Sequence, residues 1–255
     1  MAISVVQITA TIDSTGYTGT VYLSTSTPVV GNRIIASAWA YAAGDPSFPN
    51  APTDDATGGS NTYARDVWNY AGSPQQGTLI ASGKVDRTKS SLGVTIVAAN
   101  GVMAGAAMEV SGIATSSPLD QAAAVDVTYG GSSPNVYWDV TVPARSEANE
   151  LVVAVASYPA TDYGSYALAL GAWGSYTPTQ WAVNDSNPVN SEYGQAGYAI
   201  ATGTESFTAR FTANSAGSEI SPTIVATYRE APSLSGPHTR NYSPDAMGMR
   251  TVLRM

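Results

Sequence analysis

Short runs of alternating apolar and polar residues, cut roughly every 10 to 20 residues by Gly, Pro or Asn, fill almost the whole chain. A period of two puts successive side chains on opposite faces of a strand, and no segment sustains the 3.6-residue period of a helix. Residues 33–41 (RIIASAWAY) show the pattern well, opened by Gly31-Asn32 and closed by Gly44-Asp45-Pro46. Further strands are expected at 3–12, 20–23, 64–70, 78–85, 93–99, 106–112, 122–129, 136–142, 150–158, 166–171, 195–201, 206–212 and 221–228. The stretch 121–125 reads as helix by its alanines, but Val125, Val127 and Tyr129 restore the alternation. Many evenly spaced strands predict an all-β protein, an antiparallel β-sandwich. A long loop over 43–61 holds three prolines, and loops of that length usually carry function or pack tightly.

No shift in composition divides the first 230 residues, so 1–230 is expected to form one β-sandwich domain. Residues 231–255 read as a Pro/Gly linker followed by an extended C-terminal arm. The arm carries Arg240, Met247, Met249, Arg250, Leu253, Arg254 and Met255, apolar anchors with positive charge suited to docking on a neighbouring subunit. The body opposes it in charge: residues 1–230 hold 8 Lys and Arg against 18 Asp and Glu.

An acidic body without a basic stripe excludes phosphate-backbone recognition, so no nucleic-acid partner is expected. No apolar run approaches the ~20 residues of a membrane helix, and no membrane partner is expected. Met1-Ala2-Ile3-Ser4 lacks the basic start of a secretion signal. Charged residues are only 12% of the chain and Tyr (15) far outnumbers Phe (3), a balance that suits surfaces meeting other protein surfaces. Together these features predict a protein on the exterior of a particle, a virion, that is assembled in the host cytoplasm. It is expected to be a homo-oligomer, such as a trimer.

Catalytic chemistry finds little support. With no Cys, thiolate nucleophiles, thiolate metal sites and disulfides are excluded. The one His, His238, lies in the arm, where no rigid pocket can hold it between a nucleophile and a carboxylate. Paired carboxylates for glycoside cleavage could come from Asp54-Asp55, Glu147 with Glu150, or Glu109. Glu109 sits between Met108 and Val110, so it faces either solvent or a buried arginine. Asp54 and Asp55, on the loop Asp54-Asp55-Ala56-Thr57-Gly58-Gly59-Ser60-Asn61, offer oxygen ligands of the kind Ca²⁺ takes, without EF-hand spacing. No cofactor and no catalytic residue is assigned, and the protein is expected not to be an enzyme. Among the aromatics Trp39, Trp68, Tyr70, Trp138, Trp173, Tyr176 and Trp181, the segment 172–181 reads as an exposed loop. Trp173, Tyr176 and Trp181 are its contact residues, for a subunit or a host surface glycan.

Asp54-Asp55 through Gly58-Gly59-Ser60-Asn61-Thr62-Tyr63 resembles the D-x-x-G-N-x-Y turn of a β-sandwich domain found in tailed-phage virion proteins and some bacterial surface proteins. Ala107-Met108-Glu109-Val110-Ser111-Gly112 with Ser117-Pro118-Leu119-Asp120, Glu150-Leu151-Val152-Val153-Ala154, and Ile224-Val225-Ala226-Thr227-Tyr228-Arg229 resemble its later strands. The resemblance spans about residues 30 to 230 and departs in the Pro-rich loop and the arm. It implies a jelly-roll-like sandwich without an established catalytic site, acting as a minor tail protein or capsid decoration among other virion proteins. The alternative is a carbohydrate-binding module or adhesin using the aromatic loop.

Overall fold

The computed structural model describes residues 2–9, 12–14, 16–42, 44–71, 75–129, 136–159, 168–184, 192–213 and 219–232. Seventeen strands and no helix occur among them. The first nine are β1 (Ser4–Ile8), β2 (Ile12–Ser14), β3 (Thr18–Leu23), β4 (Arg33–Ala42), β5 (Thr53–Asp54), β6 (Tyr63–Ala71), β7 (Gln75–Lys84), β8 (Leu92–Val97) and β9 (Val102–Ser111). The rest are β10 (Leu119–Tyr129), β11 (Val136–Val142), β12 (Glu150–Pro159), β13 (Leu168–Leu170), β14 (Thr179–Asn184), β15 (Glu192–Ala201), β16 (Phe207–Ala213) and β17 (Glu219–Tyr228).

All pairings are antiparallel, and they fall into four sheets. The first half forms a large sheet, β1-β9-β4-β7-β6 with β2 also on β9, and a small one, β3-β8-β5. The second half forms β10-β17-β12-β15-β14 and β11-β16-β13. Strand for strand the two orders are the same. Residues 1–230, expected as one unit, therefore hold two sandwiches of like topology.

Irregularities repeat as well. A bulge in β1, between Val5 and Gln7, faces the end of β9, and one in β10, between Leu119 and Ala122, faces the end of β17. A second pair of bulges lies between Arg65 and Val67 on β6 and between Gln180 and Ala182 on β14. Bulges add one unpaired residue and re-aim the strand, so matching positions mark equivalent backbones. Gly31 and Asn149, both at positive φ (99° and 62°), precede the equivalent central strands β4 and β12.

The two large sheets pack face to face, with a small sheet outside each, giving four layers and three cores. On β4, Ile34, Ala36, Ala38 and Ala40 face the first sandwich's own core, while Ile35 and Trp39 face the shared one. On β12, Val152, Ala154 and Ala156 face inward, and Leu151, Val153 and Val155 meet Trp39, Met108 and Val110 across the shared core. Strands buried on both faces read as continuous apolar runs, which is why 33–41 and 150–158 look as they do and why charge is scarce. Trp39 lies against Gly194 of β15, where a Cβ would overlap the indole ring.

The expected strands are present, with three differences. Residues 3–12 divide into β1 and β2. The two-residue β5 carries no alternating pattern, and β14 begins within 172–181, a segment whose sequence reads as loop. Residues 233–255, including His238 and all seven arm residues from Arg240 to Met255, lie outside the described residues.

Candidate functional site

A cleft of about 540 Å³ opens between the two sandwiches, lined by Arg33, Thr62, Tyr63, Ala64, Asp66, Ser82, Lys84, Asp86, Ser117, Pro118 and Leu119. Arg33 begins β4, Ser82 and Lys84 end β7, and Asp66 is the extra residue of the β6 bulge. The bulge turns Asp66 across the interface, where its Oδ2 accepts a hydrogen bond of 2.6 Å from the Tyr228 hydroxyl of β17. Burial raises the Asp66 carboxyl above its ordinary range, against the opposing pull of Tyr228, Ser82 and Arg33. Burial likewise drives the Tyr228 phenol well up, with Asp66 adding to the rise.

Arg33 is only 8% exposed. Its Nη1 donates to Ser82 Oγ at 3.1 Å, its buried Nε has no acceptor, and no carboxylate among the described residues is within ion-pair distance. Burial lowers its pKa, with Tyr228 and Asp66 opposing. Lys84, by contrast, is paired with Asp86 at 2.6 Å. The opposite wall carries Ser117 at φ 45°, a left-handed conformation uncommon for serine. None of these cleft residues was singled out for function in the sequence, because they come from distant segments.

A second ionisable cluster lies on the far face of the same sheet. Asp120, the carboxylate at the β10 bulge, accepts from Ser146 N and Oγ and from Arg229 Nε and Nη2, the last at 2.6 Å. Burial would raise its pKa, but these bonds outweigh it and bring it to about 2. Glu150 beside it is fully buried, and neither carboxyl oxygen meets a donor in good hydrogen-bond geometry, although Thr227 and the Glu147 backbone lie close enough to favour its charged form. Burial pushes it up to about 7, Asp120 adding to the rise and Thr227 opposing. Glu147 is exposed, so Glu147 and Glu150 do not form a pair facing a common substrate.

Glu109 is buried, as one of its two sequence readings required, but arginine is not its partner. Its carboxylate accepts from Gln7 Nε2 (2.7 Å), Val29 N (2.7 Å) and Asn32 Nδ2 (2.6 Å). Asp54 is likewise committed to the fold. Its oxygens take bonds from Ala56 N, Asn61 N, Asn61 Nδ2 and the Tyr63 hydroxyl, and Asn61 Oδ1 in turn receives Asp86 N and Arg87 N. The D-x-x-G-N-x-Y pattern is thus a closed hydrogen-bonded knot tying the 54–63 turn to the end of β7. Asp55 accepts from Lys89 and Gly93 N, which lowers its pKa. With these lone pairs occupied, the suggested Ca²⁺ ligands serve the turn, and no group of three or more metal-binding side chains occurs among the described residues.

The exposed aromatic loop is corrected. Trp173 is buried in the second sandwich, its Nε1 donating to Arg210 O at 3.0 Å and its ring edge-on to Phe207 and Phe211. Trp181, the extra residue of the β14 bulge, is buried in the shared core. Tyr176 is half-buried and its hydroxyl donates to Thr202 O. The physical reason is the turn after β13, which folds in over the core: Gly171 N donates to Arg210 O, and Trp173 and Tyr176 exchange backbone hydrogen bonds. Trp39 and Trp138 are also buried. Of the aromatics named in the sequence, the exposed ones are instead Trp68 (39% exposed) and Tyr70 (44%) on β6. Their rings are parallel at 5.9 Å, and Arg65 lies 5.4 Å from the Trp68 centroid, so the ring faces are largely occupied by one another.

No family model, no curated protein and no solved structure matches this chain.

Proposed function

We propose that the chain is a structural component of a tailed-bacteriophage virion, a minor tail or capsid-decoration protein that assembles through protein–protein contacts and is not an enzyme. The observation that carries this reading is where the exposed large hydrophobic side chains sit. Among the described residues Val6, Tyr22, Trp68, Tyr70 and Tyr137 lie on strands at the edge of a sheet, β1, β3, β6 and β11, while Tyr17, Val29 and Val30 lie in loops and Ile200 on the inner strand β15. Edge strands carry unpaired backbone groups, and apolar side chains beside them give a neighbouring chain both hydrogen bonds and area to bury. The internal use of Glu109, Asp54, Asp55 and Asp120 supports a scaffold role, since these carboxylates are bonded to their own fold. The first strand of each sandwich lies beside its last, a wrapping that supports the jelly-roll-like reading.

In this reading the linker and arm, residues 231–255, dock the chain on another virion protein or on a second copy. Mass spectrometry of purified particles should find the chain as a stoichiometric component. A chain ending at Ala231 should fold with unchanged circular dichroism yet be missing from particles. Normal incorporation of that truncated chain would refute the docking arm, and absence of the full-length chain from all particles would refute the virion role.

A further inference from the structure

We propose that the cleft between the two sandwiches binds a small acidic saccharide, its carboxylate held by Arg33. The argument starts from charge. A buried guanidinium is costly unless an anion and hydrogen-bond acceptors compensate it. Arg33 has one hydroxyl acceptor, Ser82 Oγ, an orphan Nε and no carboxylate in ion-pair contact among the described residues. Asp66, on the same cleft wall, and Tyr228 offset this burial from beyond ion-pair distance without cancelling it. A closer anion therefore has room to come from outside, because Arg33 forms part of a cleft of about 540 Å³, within the range of small-molecule sites. A planar guanidinium matches a carboxylate in shape as well as charge.

The rest of the lining defines what accompanies the acid group. Thr62 and Ser117 supply hydroxyls, Asp86 an acceptor for donors, and Pro118 and Leu119 an apolar wall for a ring's C–H face. Hydroxyl and apolar surfaces side by side are the chemistry of a sugar ring. The backbone adds an independent mark: Ser117 is held at positive φ on the cleft wall, and strain of that kind collects at ligand sites. This inference stands apart from the virion reading, and neither depends on the other.

The test is a calorimetric or NMR titration of the full chain with D-glucuronate, using D-glucose, acetate and inorganic phosphate as comparison probes. Glucuronate should bind saturably with Kd on the order of 1 mM, and glucose and acetate should bind at least about tenfold more weakly, a difference of about 1.4 kcal/mol. Arg33→Met removes the charge, and Ala64→Trp plugs the cleft from an exposed position on β6 without touching Arg33. Each should weaken glucuronate binding at least tenfold, and Ala64→Trp remains informative if Arg33→Met fails to fold. Absence of saturable binding, binding unchanged in Ala64→Trp, or equal binding of acetate or phosphate (an adventitious ion only) would overturn the proposal.

Discussion

The two sandwiches share a backbone plan and solve its side-chain problems differently. In the first, Glu109 on the last strand meets Asn32 ahead of the central strand, with Gln7 and Val29 N completing the acceptor set. In the second, the equivalent positions are Thr227 on the last strand and Glu150 at the start of the central one. The carboxylate has changed strands and lost its donors. One sandwich holds a buried carboxylate ringed by three donors, and the other holds an acid raised to about 7. The same backbone site accepts a buried carboxyl from either strand, and the local donors set how well it is held.

The outer sheets differ in the same manner. Thr20 and Thr95 share a hydrogen bond of 2.8 Å across β3 and β8. At the matching place on β11 and β16, Asp139 and Arg210 form a two-pronged ion pair at 2.7 and 2.6 Å.

The largest test of this contrast is Glu109→Ala. It strips one buried and two partly buried donors of their acceptor and should cost on the order of 3 kcal/mol in denaturant unfolding. A loss under about 1 kcal/mol would mean that the donors find water. Glu150→Gln should instead be neutral or stabilising at pH 8, and it should flatten the pH profile. The folded pKa of Glu150, about 7, lies above the ordinary carboxyl value, so the folded state keeps a proton that the unfolded chain releases. The stability that Glu150 contributes should therefore be full below the ordinary carboxyl range and fall by on the order of 2 kcal/mol as pH rises through 7. The raised Asp66 contributes to the same fall, so the variant removes only Glu150's share. Asp120, lowered to about 2, acts in the other window, its contribution lost as pH drops from about 4 towards 2. A thermal-melt series from pH 2 to 9 reads both. The smallest effect belongs to Asp139 and Arg210, both partly exposed: replacing the pair by two threonines should change stability by less than about 1 kcal/mol, and less still at high salt. A larger loss would mark that ion pair as structural in a way the Thr20 and Thr95 pair is not.

Much of the strand plan was legible, because alternation and Gly/Pro/Asn punctuation act locally. The repeat was not. Asn32-Arg33-Ile34-Ile35 and Asn149-Glu150-Leu151-Val152 look alike in sequence, yet the structure matches Ile34 with Val152, one residue out of that alignment. A slip of one residue exchanges the two faces of a strand, so the resemblance concealed the correct equivalence. β14 escaped because Pro178 and the neighbouring Gly174 read as loop, while its pairing with β15 is a long-range choice. Trp173 could not be placed from its neighbours, since what buries it is Phe207 and Phe211. The cleft was invisible for the same reason. Arg33, Asp66 and Ser117 belong to three different elements, and only the meeting of the large sheets brings them together.

That meeting sets how the halves can exist at all. Each large sheet lends its second face to the other, so Trp39, Met108 and Val110 on one side and Val153, Val155 and Ile224 on the other have no solvent-tolerant alternative. A chain carrying a single half would bear a broad adhesive face and would satisfy it by pairing with its own copy. In the present chain that subunit contact has become an internal one, and its strength no longer depends on concentration. The molecule is, in effect, a dimer that cannot dissociate.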